Sequence, residues 1–280
     1  MISAIQRGGG QTTGNGCVDL LVHGNVSGTI VIKNNRWRNG GDKVHGTFGC
    51  GIENSIIVDI YANSVADSLT ITNNLCGINA ENGPAPDPNG VTTCFGANMT
   101  KSGATIDAEY NAVFVAYGRF FELTTANGTK TLTHNYGEGL GYRSGALHGE
   151  FDQGGADGSC RAVVSQSYNT VLQPHDGNSG AAAAAALLYG SSGAVGPCYA
   201  NYTFANNTLI VNNPAATGIE VSYNTYTNLA FSNNYIAPVY TVNGGCIYEV
   251  GNPSFTNSPT FYGNINMLTG NTIAKFGSCP

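Results

Sequence analysis

Leu69-Thr70-Ile71-Thr72-Asn73-Asn74 alternates apolar and polar side chains and then stops at two asparagines. Period-two alternation is that of a strand with one buried face. Asparagine accepts a left-handed backbone and bonds its own main chain, so it ends a strand in a tight turn. The same phrase recurs along the chain. It reads Thr29-Ile30-Val31-Ile32-Lys33-Asn34-Asn35, Leu132-Thr133-His134-Asn135-Tyr136 and Val164-Ser165-Gln166-Ser167-Tyr168-Asn169. Later copies are Tyr202-Thr203-Phe204-Ala205-Asn206-Asn207, Leu229-Ala230-Phe231-Ser232-Asn233-Asn234 and Asn266-Met267-Leu268-Thr269-Gly270-Asn271.

The last asparagines of these segments stand at 35, 74, 135, 169, 207, 234 and 271, so the intervals are 39, 61, 34, 38, 27 and 37 residues. A solenoid returns to one motif in this way, with coils of unequal length because loops bulge from one corner. The 61-residue interval should hide a further coil, and Ala104-Thr105-Ile106-Asp107-Ala108-Glu109-Tyr110-Asn111 reads as its strand. Asparagines of successive coils are placed to stack, each amide bonding the next. The expected fold is all-β: one right-handed parallel β-helix of about eight coils, roughly 40 Å long at about 4.8 Å per coil. Residues 18–275 form the coils, 1–17 an N-terminal cap or extension and 276–280 a tail, all in one domain.

Composition agrees. Gly (39) and Asn (33) are over-used, and both suit left-handed turns. Charged residues make up only 10%, against roughly 25% in ordinary domains, while 41% are hydrophobic, so the chain folds rather than staying disordered. Residues 81–90 carry three prolines within five positions and form an excursion loop. The run of alanines at 181–186 is either a short helix or a tight coil corner.

A net charge of −6 with no Lys/Arg run excludes counterion-driven nucleic-acid binding. No stretch approaches the 18 to 20 or so apolar residues of a membrane span. The first residues lack a signal-peptide core, so the expectation is a processed or excised chain, or export by another route such as a virion. Eight cysteines, an even number, suit disulfides in an oxidising compartment, or else buried thiols stacked inside the coil. No Cys/His spacing suits zinc and no acid cluster suits calcium, so neither cofactor nor metal is expected.

Charge is uneven. Six charged residues (Glu138, Arg143, Glu150, Asp152, Asp157 and Arg161) fall within 24 positions, and the following 119 positions carry four. In so uncharged a chain this cluster points to a site. In Ala146-Leu147-His148-Gly149-Glu150-Phe151-Asp152-Gln153, strand alternation places His148, Glu150 and Asp152 on one outward face, with Leu147 and Phe151 inward. Imidazole and two carboxylates make an acid/base array for glycosidic-bond chemistry, with Arg143 or Arg161 as the cation that a lyase would need. The carboxylates at i, i+2 lie roughly 6 to 7 Å apart, between the retaining and inverting separations. The competing reading is a polar outer wall with no chemistry. Tyr136, Glu138, Tyr142 and Gln153 are the candidate substrate contacts. Tyrosines near turns suit stacking on sugar rings, or ordinary packing.

With these coils the chain resembles right-handed parallel β-helix proteins of the pectate-lyase-like superfamily, over most of residues 18–275. His148-Gly149-Glu150-Phe151-Asp152-Gln153 is similar to a His-x-acid-x-x-Gln pattern of some β-helix proteins. Pro174-His175-Asp176 is similar to the Asp-Pro-His-Asp motif of mannuronan epimerases, with Gln173 where the first acid stands. That resemblance adds His175 and Asp176 to the catalytic candidates, one coil from the His148 row. It implies a polysaccharide partner, since the superfamily includes lyases, hydrolases, epimerases and phage tailspikes. The expected function is an extracellular carbohydrate-binding spike or adhesin, with or without depolymerase activity, as a homotrimer or part of a larger assembly. The alternatives are a secreted polysaccharide hydrolase or lyase and a non-catalytic structural fibre.

Overall fold

The computed structural model describes residues 5–6, 18–22, 27–38, 56–77, 93–116, 119–125, 127–140, 151–152, 162–173, 186–188, 197–211, 218–222, 225–239 and 245–280. Among them every regular element is a strand, arranged in sheets of thirteen, eight and four strands. The two larger sheets are parallel but for the antiparallel pairing of Ile5–Gln6 with Leu21 and Val22 at one end. This architecture is all-β and compatible with a β-helical solenoid.

The repeat seen in the sequence is the joint between the two large sheets. Thr105–Glu109 lies in the thirteen-stranded sheet and Ala112–Ala116 in the eight-stranded one, with Tyr110 and Asn111 as the corner. Thr129–Thr133 and Tyr136–Leu140 follow the same plan around His134 and Asn135. Residues pair in register from one copy to the next: Ile106 with Lys130, Lys130 with Val164, and Val164 with Tyr202.

Eight asparagines line the corner: 35, 74, 111, 135, 169, 207, 234 and 264. Each Nδ2 from Asn35 to Asn234 donates to the Oδ1 of the next, at 2.8 to 3.1 Å. The same Oδ1 also accepts from the preceding asparagine's backbone N–H. From Asn74 onward the second N–H of each amide reaches a strand carbonyl of the preceding copy, as Asn169 Nδ2 does to Leu132 O at 2.9 Å. From Asn74 to Asn234 both amide N–H groups and both lone pairs are thus used, so these amides are buried without the cost of unpaired polar groups.

Asn111 is the step hidden in the 61-residue interval, as expected. The last step differs from expectation. It is Asn264, after the strand Thr260–Tyr262, and not Asn271. Residues 266–271 form a tight turn in which Gly270 N–H donates to Asn266 O, with Gly270 at φ 76°. The supposed tail at 276–280 is docked. Gly277–Ser278 pairs antiparallel with Gly245–Val250, and Phe276 packs on Phe255, Phe261 and Phe231.

The core lies between the sheets. Ile71, Ile106, Leu132, Phe204 and Phe231 are buried, and the residues on either side of each in the strand point outward. Among the described residues two disulfides are formed, Cys76–Cys94 and Cys246–Cys279, a pairing that suits an oxidising environment. Of the alanine run, Ala186 begins a strand with Leu187 and Leu188 in the smallest sheet. Residues 181–185 lie outside the described residues.

Candidate functional site

The residue before each ladder asparagine occupies the left-handed region. Asn34, Asn73, Tyr110, His134, Tyr168, Asn206, Asn233 and Gly263 have φ between 53° and 63°. Asparagine and glycine accept this conformation, whereas it costs an ordinary L-residue roughly 1–2 kcal/mol. The three aromatic exceptions are consecutive, and all are exposed, Tyr110 and Tyr168 at 55%. Their rings form one row, Tyr110 to His134 at 5.0 Å and 19° and His134 to Tyr168 at 5.1 Å and 7°. His134 Nδ1 lies 3.0 Å from Thr133 Oγ1. Strained backbone that carries exposed rings is the kind of outlier that marks a binding surface.

On either side of the row the outer faces are polar and aromatic. Thr70, Asp107, Thr131, Ser165 and Thr203 are in register on the outside of the first sheet. On the second sheet, Tyr136 stands beside Phe114 at 5.5 Å, and its hydroxyl donates to Glu138 Oε2 at 2.7 Å. Partial burial, then the Glu138 hydrogen bond and charge, push the Tyr136 phenol up to about 12, so it stays a donor at physiological pH. Tyr136 and Glu138 therefore share one outward patch, one residue beyond the ladder from His134.

The acid/base row requires a correction. Asp152 does not face outward: it is 1% exposed. Its Oδ2 accepts from Lys130 Nζ at 2.6 Å and from Gln166 Nε2 at 2.7 Å, and Lys130 Nζ also donates to Leu123 O at 3.1 Å. The physical reason is local. Residue 151 is a bend and Asp152 makes a single bridge to Phe121, so strand alternation does not run through this segment. Phe151 is buried as expected, against Phe120 and Phe121, and Asp152 follows it inward. His148, Glu150, Arg143, Tyr142, Gln153, His175 and Asp176 lie outside the described residues.

Lys130 and Gln166 are interior residues that the motif reading passed over. Their signal was available: in Thr129-Lys130-Thr131-Leu132-Thr133 the period that buries Leu132 also buries Lys130. Among the described residues no group of three His, Cys, Asp or Glu side chains is placed to hold a metal ion. No family model, curated protein or solved structure matches this chain.

Proposed function

We propose that the protein is an extracellular carbohydrate-binding spike or adhesin, built as a right-handed parallel β-helix of about eight coils. The observation that carries this reading is the exposed Tyr110–His134–Tyr168 row, held at three positions where the fold elsewhere uses asparagine or glycine. Aromatic edges, phenol hydroxyls and an imidazole in line suit the mixed apolar and hydroxyl character of a glycan. The neighbouring threonines and the Tyr136–Glu138 pair add hydrogen-bonding groups on both flanks. Disulfides and the near absence of charge fit a secreted, cell-surface or virion setting. Burial of Asp152 removes one acid from the proposed catalytic row, which favours binding over depolymerisation.

The test uses Tyr110→Asn and Tyr168→Asn together. Asparagine relieves the left-handed strain, so the double variant should be more stable than the parent by about 1–2 kcal/mol. It should also lose glycan retention on a polysaccharide array by about tenfold or more, since each ring contributes about 0.5–1.5 kcal/mol. Retention unchanged in the double variant, or no glycan retained by the parent, would remove the reading.

A further inference from the structure

We propose that Lys130 and Asp152 condense spontaneously into an intramolecular isopeptide bond. They are the two charged side chains buried among the described residues, at 3% and 1% exposure, in a chain where only 10% of residues carry charge. Lys130 occupies an interior position whose in-register neighbours are Ile106 and Val164. The desolvation cost of a buried ion pair can exceed its Coulombic gain. An amide there would carry no charge and would satisfy the same surroundings.

The geometry supports the reaction. Nζ lies 2.6 Å from Asp152 Oδ2, which holds the amine one bond from the carboxyl carbon that it would attack. Gln166 Nε2 donates to Oδ2 at 2.7 Å, the position of an oxyanion-stabilising donor. The ammonium passes one proton to Oδ1, leaving a neutral amine and a neutral acid. Nitrogen then attacks Cγ, and the C–N bond forms while charge develops on Oδ2 under the Gln166 N–H. A second nitrogen proton goes to the Oδ1 hydroxyl, the Cγ–Oδ1 bond breaks and one water leaves. No oxidant or co-reactant is needed. In the product, the remaining N–H still donates to Leu123 O and the carbonyl still accepts from Gln166.

The bond would close the segment between residues 130 and 152. That segment contains Glu138, Arg143, His148 and Glu150, so the first part of the charge-dense stretch would lie within a covalently closed loop.

Mass spectrometry of the folded fraction, taken after reduction and denaturation, decides the matter. The expected mass is one water below that of the sequence, and digestion should yield one branched peptide joining Lys130 to Asp152. Lys130→Arg keeps the charge but lacks the nucleophilic amine, and should appear at full mass. Gln166→Leu should show a mixture or the unreacted form. Asp152→Asn is a positive control of the chemistry, since it reaches the same amide by losing ammonia. A parent protein at full mass would overturn the proposal. So would a lost water that maps to another residue, such as a cyclised aspartate before glycine.

Discussion

A primary amide has two donors and two lone pairs, and each interior ladder asparagine spends all four on fixed partners. Removing Asn169 would orphan the Asn135 backbone N–H and Nδ2, both of which it accepts, and would take one donor from the Leu132 carbonyl. At about 1–3 kcal/mol per buried group left unpaired, Asn169→Ala should cost about 3 kcal/mol or more in a denaturant melt. Asn35, at the half-buried end of the row, has one ladder neighbour among the described residues and should cost far less when changed to alanine. Equal losses at both positions would mean that the amides act one by one and not as a cooperative ladder. The residue just before each ladder asparagine shows how partial the sequence signal is. Asn34, Asn73, Asn206 and Asn233 announce a left-handed turn through their chemistry. Tyr110, His134 and Tyr168 do not. Their conformation follows only from their place in the repeat, so the ring row emerges only once the coils are set side by side.

At the scale of strands, alternation was legible wherever it was uninterrupted. Thr105–Glu109 buries Ile106 and Ala108, Thr129–Thr133 buries Lys130 and Leu132, and the threonines of both face out. The expected consequence is a sharp contrast between adjacent positions. Thr131→Val should change stability by no more than about 0.5 kcal/mol. Leu132→Ala, one residue on and 0% exposed, should cost about 2–5 kcal/mol by thermal or chemical unfolding. Similar effects at the two sites would show that this strand does not bury one face. The misses have the same physical origin as the successes. Thr260–Tyr262 ends in Gly263 and Asn264, and glycine in the left-handed place hides the Asn-Asn signature while serving the same turn. A Cβ at 263 would lie 2.3 Å from Asn233 Oδ1, so a side chain there requires the Asn233 amide to shift. Asn266 to Asn271 looked like a strand because its composition matched, yet a turn bond from Gly270 closes it. Asp152 was placed outward because its neighbours were assumed to continue a strand. A bend followed by a single bridge carries no alternation, and no pattern in the residues marks where a strand stops short of a turn motif.

Over the whole molecule, a stack of near-identical steps is closed along its length but has to protect its two ends. At the C-terminal end Phe261 and Phe276 cover Phe231, Phe255 packs on Phe276 and Tyr226, and residues 277–278 pair with residues 245–250. Cys246–Cys279 fastens this cover to a buried position, 33 residues apart in sequence. Cys76–Cys94 closes 18 residues, which include the proline-rich segment. If chain entropy alone decided, each bond would stabilise by about 3–4 kcal/mol, and the longer loop would lead by only roughly half a kcal/mol. The two bonds do not do the same job, however. Without Cys76–Cys94, the ladder and both sheets still hold the strands on either side. Without Cys246–Cys279, the last strand and Phe276 are held by one antiparallel pairing, ring contacts and the two hydrogen bonds that Pro280 O accepts from Asn266 Nδ2 and Thr269 Oγ1, and their release would expose apolar surface at the end of the stack. Replacing Cys246 and Cys279 by serine should therefore lower the denaturant midpoint by clearly more than replacing Cys76 and Cys94. It should also produce an early unfolding phase and a tendency to associate end to end, read by light scattering. Losses that differ by no more than the loop-length term, with no early phase, would show that the aromatic cover holds by itself and that both bonds act only on the unfolded chain.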